Sequence, residues 1–268
     1  MARSGRATYS RAVRTVGSGE IIAAIDAAAS AHPGGAIAFD GDGTLWSGDV
    51  GEDFFGALLE HGVHEAADAP LRREAEAAGV DPAGTAREVA HRIHVAYLGG
   101  RFPEERVCEI MTWAAAGFTR TELDAFSAGV IERIGLAGRL HREALRIVEH
   151  GKQVGIDVHL VSASPRTIVE AAARFVGIDP SMTIAAREAV DEAGVVLPAV
   201  ERPIPYGDGK VRRLRERIGA RPLYAAFGDN AFDVAMLREA AHRVAIRPKQ
   251  RLLDRAPEVG GLVVLTPE

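Results

Sequence analysis

The sequence predicts an α/β fold: a doubly wound parallel sheet with helices on both faces and a helical cap domain inserted into it. Three observations predict it. Short apolar runs end abruptly in polar residues at AIAFD (36–40), DVHLVSAS (157–164) and YAAFGDN (224–230), as strands buried on both faces do. Helix-patterned segments lie between and after these runs, the alternation that a parallel sheet covered on both faces requires. The alternation lapses once, over residues 50–139, where the pattern is almost wholly helical.

Taken in order, the chain opens with Arg3, Arg6, Arg11 and Arg14, a basic tip read as a solvated tail. The stretch IIAAIDAAASA after it is flanked and interrupted by Glu20 and Asp26, which suits an amphipathic helix and not the apolar region of a secretory signal. Residues 1–49 therefore begin the core, ending with its first strand. Residues 50–139, with the Ala-rich REAEAAG and the loop-like Gly99-Gly100 and Gly135 to Gly138, form the cap. Residues 140–268 return to the core. Within them REALRIVEHGK (142–152), PRTIVEAAARFVG (165–177), GKVRRLRERIG (209–219) and AFDVAMLREA (231–240) are expected helices. Pro165 suits a first helical turn, and Gly177 and Gly219 are placed as C-caps. Residues 183–206 alternate polar and apolar around Glu192-Ala193-Gly194 and predict a hairpin, and HRVAIRP (242–248) predicts a further strand stopped by Pro248.

Composition narrows the function classes. A net charge of −5 and a pI of 6.0 leave no electrostatic footprint for nucleic acid. No apolar run approaches the roughly 18 residues that span a bilayer. Cys108 is the only cysteine, so no intrachain disulfide forms, and in RVCEIM it is expected to be a small buried apolar residue. A cytoplasmic protein is expected, with the oligomeric state left open.

The candidate chemistry sits where strands end, because ligands of open α/β sheets collect beyond the carboxyl ends of the strands. The first run delivers Asp40-Gly41-Asp42-Gly43-Thr44, two carboxylates that can face one cavity, with glycines that let the backbone approach a ligand. Alone, DGDG is also turn chemistry. The second run delivers Ser162, Ala163 and Ser164 ahead of a helix, a phosphate site or simply a helix N-cap. Lys210 starts a helix and can neutralise a phosphate oxygen, although a lone lysine is also ordinary surface. The third run ends in Gly228-Asp229-Asn230, with Asp233 one turn later, a second acidic pair that can equally serve a helix dipole.

In this order the four elements resemble the haloacid dehalogenase superfamily: AFDGDGTLW its first motif, LVSAS its second, Lys210 its third and GDNAFD its fourth, across residues 36–248. The large helical insertion between the first and second motifs is most similar to the phosphoserine phosphatase branch. The resemblance implies a Rossmann-like core and a Mg²⁺-dependent phosphomonoester hydrolase. Asp40 would be the nucleophile that becomes an aspartyl phosphate, and Asp42 the acid and base. Asp40, the backbone carbonyl of Asp42, and Asp229 would hold Mg²⁺. Lys210 would offset charge, Thr44 and Ser162 would position the phosphoryl group, and Asp233, beside Asn230, would orient Lys210 or a metal-bound water. A phosphotransferase using the same intermediate is the alternative enzyme reading, and a non-catalytic phosphoryl-binding protein the alternative of another class.

The expected partner is a small-molecule phosphate ester. Phe232 departs from the phosphoserine phosphatase pattern, which has a polar residue there, and this bears on phosphoserine itself. Asp49 occupies the place of an acid that meets the substrate amine, and with Trp46, Tyr97 and Trp113 it suggests an amine-bearing ester such as phosphoserine or phosphocholine. Otherwise Asp49 caps a helix and the tryptophans pack. Arg92, His94, Arg101 and Arg106 are candidates for a substrate carboxylate or second phosphate.

Overall fold

The structure, a computed structural model, describes residues 13–268; Arg3, Arg6 and Arg11 lie outside the described residues. The chain begins with β1 (Arg14–Val16), α1 (Ser18–Ala31) and β2 (Ala36–Asp40). Five helices follow: α2 (Val50–His61), α3 (Asp68–Ala77), α4 (Ala86–Leu98), α5 (Glu104–Trp113) and α6 (Arg120–Arg133). The core resumes with α7 (Arg142–Gln153), β3 (Asp157–Pro165), α8 (Arg166–Ala173) and β4 (Thr183–Ala186). A two-stranded ribbon, β5 (Glu188–Val190) and β6 (Val196–Val200), precedes α9 (Asp208–Ile218), β7 (Leu223–Gly228), α10 (Val234–Glu239) and β8 (His242–Ile246). The described chain closes with α11 (Gln250–Asp254), α12 (Ala256–Val259) and β9 (Val263–Leu265).

Seven strands form one parallel sheet in the order β1-β9-β8-β7-β2-β3-β4. Side chains alternate between its faces, so β2 sends Ile37 and Phe39 into a core shared with α1 and α7, and Ala36 and Ala38 into one shared with α9 and α10. Phe39 stacks on Phe227 of the neighbouring β7 with ring centroids 4.0 Å apart. The alanine face lets α9 and α10 pack close. Strand β2 is central: the chain leaves it for β3 on one side and returns to β7 on the other. The crevice at such a reversal is where this architecture binds ligands.

Three expectations about elements need correction. The hairpin is confined to β5 and β6, because Thr183–Ala186 pairs in parallel with β3 as an edge strand of the main sheet. Pro165 is not in the first helical turn: it ends β3 and caps α8 in an extended conformation. Gly177 is not that helix's C-cap, since α8 stops at Ala173 and turns follow, whereas Gly219 does cap α9. The ribbon also reaches back to the helical insert. Gly117 N–H donates to Val196 O, Val196 N–H to Phe118 O and Arg120 N–H to Gly194 O, at 2.9–3.0 Å. Arg202, beyond β6, pairs with Glu109 of α5 at 2.7 Å.

Candidate active site

Strands β2, β3 and β7 and the segment after β8 deliver polar groups to one edge of the sheet, and the starts of α2 and α5 with the end of α4 lie over that edge. Between them is a cavity of about 350 Å³. Asp40, Asp42, Asp49, Ser162, Ala163, Ser164, Lys210 and Asn230 line it.

Asp40 ends β2 and is 3% exposed. One of its oxygens meets Lys210 Nζ at 2.5 Å, and the other accepts from Thr44 Oγ1 at 3.0 Å. Thr44 is fully buried beneath the cavity, so it orients Asp40; it does not line the space where a phosphoryl group would sit. Lys210 also meets Asp233 at 2.6 Å, and Asp233 in turn accepts from the backbone N–H groups of Asp229 and Asn230. Gly209 brings the start of α9 against the chain, for a Cβ there would fall 2.0 Å from Ile204 O. Burial alone would lower the Lys210 pKa, but the charges of Asp233 and Asp40 outweigh it and hold the ammonium protonated.

Asp42 is oriented differently. Its Oδ1 accepts from Trp46 Nε1 at 2.8 Å and from the backbone of Val50 at 2.7 Å, while Oδ2 accepts from Ser164 Oγ at 2.7 Å and Ser162 Oγ at 3.4 Å. The expected aromatic role of Trp46 is corrected here: it is fully buried, does not line the cavity, and holds Asp42 by its indole N–H. Trp113 is likewise buried and away from the cavity.

Asp40, Asp229 and Asp233 offer carboxylate oxygens within 4.8 Å of one another. Asp229 Oδ2 pairs with Lys249 Nζ at 2.9 Å, but its Oδ1 is buried without a hydrogen-bond partner. Gly43 lies so close, with φ +83°, that a Cβ would fall 2.2 Å from Asp229 Oδ2. The Asp42–Gly43 backbone is thus pressed against this cluster while the Asp42 carboxylate faces away from it. Burial first, and then the Asp233 charge, raises Asp40 well above the usual carboxylate range and Asp229 to about 6. The three carboxylates outnumber the two ammonium groups that meet them, Lys210 and Lys249, and burial makes their ionised forms costly without further positive charge. Hard oxygen donors, an orphaned buried oxygen and uncompensated charge fit a divalent cation such as Mg²⁺.

Several lining residues escape sequence reasoning: Lys249 and Arg251 beyond β8, Glu52 of α2, Glu104 of α5 and Tyr206. Their signal is faint, since PKQR after a strand reads as solvated loop. Cys108, expected to pack in the interior, is half-buried and lines the cavity. Asp49 caps α2 through Glu52 N–H at 2.9 Å and also lines the cavity. None of Arg92, His94, Arg101 and Arg106 lines it. Arg92 binds the carbonyl oxygens of Asp81 and Ala83, and Arg106 bridges Glu74 and Glu109.

Known proteins of the same shape share this architecture. A protein of unknown function from Bordetella pertussis Tohama I is 21% identical with a TM-score of 0.67, the match covering 86% of this chain and 97% of that one. A functionally unknown protein from Anaerococcus prevotii DSM 20548 is 18% identical with a TM-score of 0.63, covering 85% and 84%. A phosphoserine phosphatase in its apo form is 19% identical with a TM-score of 0.51, covering 86% and 92%. At such identities the likeness is one of fold. No curated protein matches the chain. The profile of the haloacid dehalogenase-like hydrolases matches residues 37–238, which takes in every strand end that lines the cavity except the segment after β8. On that match, over most of its length, the chain belongs to the haloacid dehalogenase-like hydrolases.

Proposed function

We propose that this hydrolase is a Mg²⁺-dependent phosphomonoesterase acting on a small phosphate ester in the cytoplasm, with Asp40 as nucleophile. The observation that carries the reading is the pairing of two differently held carboxylates on one cavity: Asp40 between Lys210 and the acidic cluster, Asp42 on the opposite side among hydroxyls.

Asp40 is the better nucleophile because Lys210 and Thr44 fix its direction. Attack of one carboxylate oxygen on phosphorus forms the aspartyl phosphate and breaks the ester P–O bond. Asp42 gives its proton to the departing alkoxide, then takes one from the water that attacks phosphorus and frees Asp40. Trp46 and Val50 occupy Oδ1 with fixed N–H donors, so Oδ2 carries the transferable proton: the Ser164 and Ser162 hydroxyls facing it can rotate to accept as well as donate. Lys210 offsets charge on the phosphoryl oxygens, and Ser162 and the Ala163 backbone position them. Asp233 holds Lys210. Asp40, Asp229 and the Asp42 carbonyl would hold Mg²⁺, with Asp233 behind them. That ion supplies positive charge to offset the crowded anions, each close pair of which interacts by roughly 4 kcal/mol at 4 Å and an effective dielectric near 20.

The division of the chain at 49/50 and 139/140 into core and cap belongs to this proposal, the insert closing the leaving-group side of the cavity. The leaving group is read as amine-bearing, of the phosphoserine or phosphocholine type, with Asp49 facing it. Phosphate release from a panel of small monoesters tests the assignment. Turnover should vanish on chelation and return with Mg²⁺; activity indifferent to chelation, or a fully active Asp40→Asn protein, would overturn it.

A further inference from the structure

A phosphoryl group seated on Asp40 and Lys210 leaves the far end of the cavity to the leaving group. That end is lined by the start of α2, the end of α4, the first turn of α5 and a core loop, which contribute Asp49, Glu52, Tyr97, Glu104 and Tyr206, while Phe232 lies beside Lys210. The three carboxylates line the cavity together with Tyr97, whose pKa is raised by burial and then by the charges of Glu104, Glu52 and Asp49. No side chain among the described residues pairs with Asp49 or Glu52 as a cation. Glu104 has only Arg251, 3.6 Å away with a side chain 66% exposed. Tyr206 and Phe232 lie with ring centroids 5.0 Å apart; Lys210 Nζ already stands over the Phe232 ring, 5.6 Å from its centroid, so Tyr206 is the ring of this pair left to the leaving group.

We propose that this end of the cavity binds an ammonium group, and that the substrate is the phosphate ester of an amino alcohol carrying no carboxylate. The inference rests on the phosphatase reading above and narrows it. A cation leaving water is stabilised by carboxylates that lack cationic partners and by an aromatic face, and Asp49, Glu52 and the Tyr206 ring offer both. A carboxylate on the leaving group would instead enter among three like charges, at an end that Arg92, Arg101 and Arg106 do not reach. The cations that line the cavity already face carboxylates: Lys210 meets Asp40 and Asp233, Lys249 meets Asp229 and Arg251 faces Glu104. A neutral polyol ester would leave the half-buried carboxylates of Asp49 and Glu52 without a counter-charge.

The test compares phosphocholine, phosphoethanolamine, phosphoserine, glycerol phosphate and an activated aryl phosphate with the full-length, Mg²⁺-supplied enzyme. The two amino-alcohol esters should exceed both glycerol phosphate and phosphoserine in kcat/KM by at least about tenfold. In Glu52→Gln and Glu104→Gln the ratio of phosphocholine to glycerol phosphate should fall at least about fivefold. A preference for glycerol phosphate or phosphoserine, or a ratio unmoved in both variants, overturns the inference. Failure to hydrolyse any ester, the aryl phosphate included, counts against the phosphatase reading itself. Equilibrium binding of the same esters to Mg²⁺-supplied Asp40→Asn protein then reads charge selectivity without turnover: tighter binding of the amino-alcohol esters supports the ammonium site, and equal binding ends it.

Discussion

At the scale of single residues, chemistry depends on which oxygen of which carboxylate is occupied. Both Asp40 oxygens are held by buried side chains, Lys210 and Thr44, whereas Asp42 takes fixed N–H donors on one oxygen and rotatable hydroxyls on the other. Replacing Asp40 with Asn should cut phosphate release by at least about a thousandfold while circular dichroism stays native, since the change also relieves like-charge crowding with Asp229 and Asp233. Trp46→Phe fills the same space but removes the indole donor. It should cost about 1–3 kcal/mol in denaturant unfolding and lower kcat, because Asp42 loses its fixed orientation. Asp229 supplies a pH prediction. Its folded value of about 6 lies above the unfolded value near 3.8, so the folded state binds the extra proton and stability without metal falls as pH rises through that window. Added Mg²⁺ selects the ionised form and should reverse the slope; melting temperatures at pH 4.5 and 7 with and without the ion measure it.

At the scale of elements, legibility followed length and burial. Strands β2, β3 and β7 are buried runs five to nine residues long that stop at functional polar groups, and they stand out in the sequence. Strands β1 and β9, at one side of the sheet, have three residues each, and the edge strand β4 merges into the alternation of the ribbon that follows. Nothing local distinguishes them; only their partners make them strands. The same holds within the cavity. Asp40, Asp42, Ser162, Lys210 and Asn230 announce themselves by following a strand or opening a helix, whereas Lys249, Glu52, Glu104 and Tyr206 gain their place from packing between distant segments. Trp46 was ambiguous for a related reason: an aromatic beside a reactive loop serves ligand or loop, and its complete burial decides for the loop. One element-scale link is open to test. Arg166 of α8, 2% exposed, is shared by Glu170 and by Glu188 of β5, also buried. Arg166→Ala leaves Glu188 buried without a counter-charge and should destabilise the protein by about 3–5 kcal/mol, read as a lowered denaturation midpoint.

At the scale of the whole molecule, the described residues form one sheet that spreads its cores over two faces, with every polar cluster of the cavity gathered at one edge and the helices of the insert above it. No described helix is long and apolar enough to cross a membrane. The insert is joined to the sheet not only at its two ends in sequence but also through the ribbon, which pairs with residues 117–120 and ties Arg202 to Glu109. Thr119 and Val195 face each other there as an antiparallel bridge, the spacing at which two cysteines can be linked. An oxidised Thr119→Cys, Val195→Cys double variant should therefore keep kcat within about twofold of the parent, apart from a modest stability loss at the Thr119 helix cap. A collapse of turnover on oxidation, restored by reductant, would show that the seam has to part. A chamber whose roof stayed sewn along that seam would have to exchange its contents sideways, and would then sieve visitors by girth before any contact inside could choose among them.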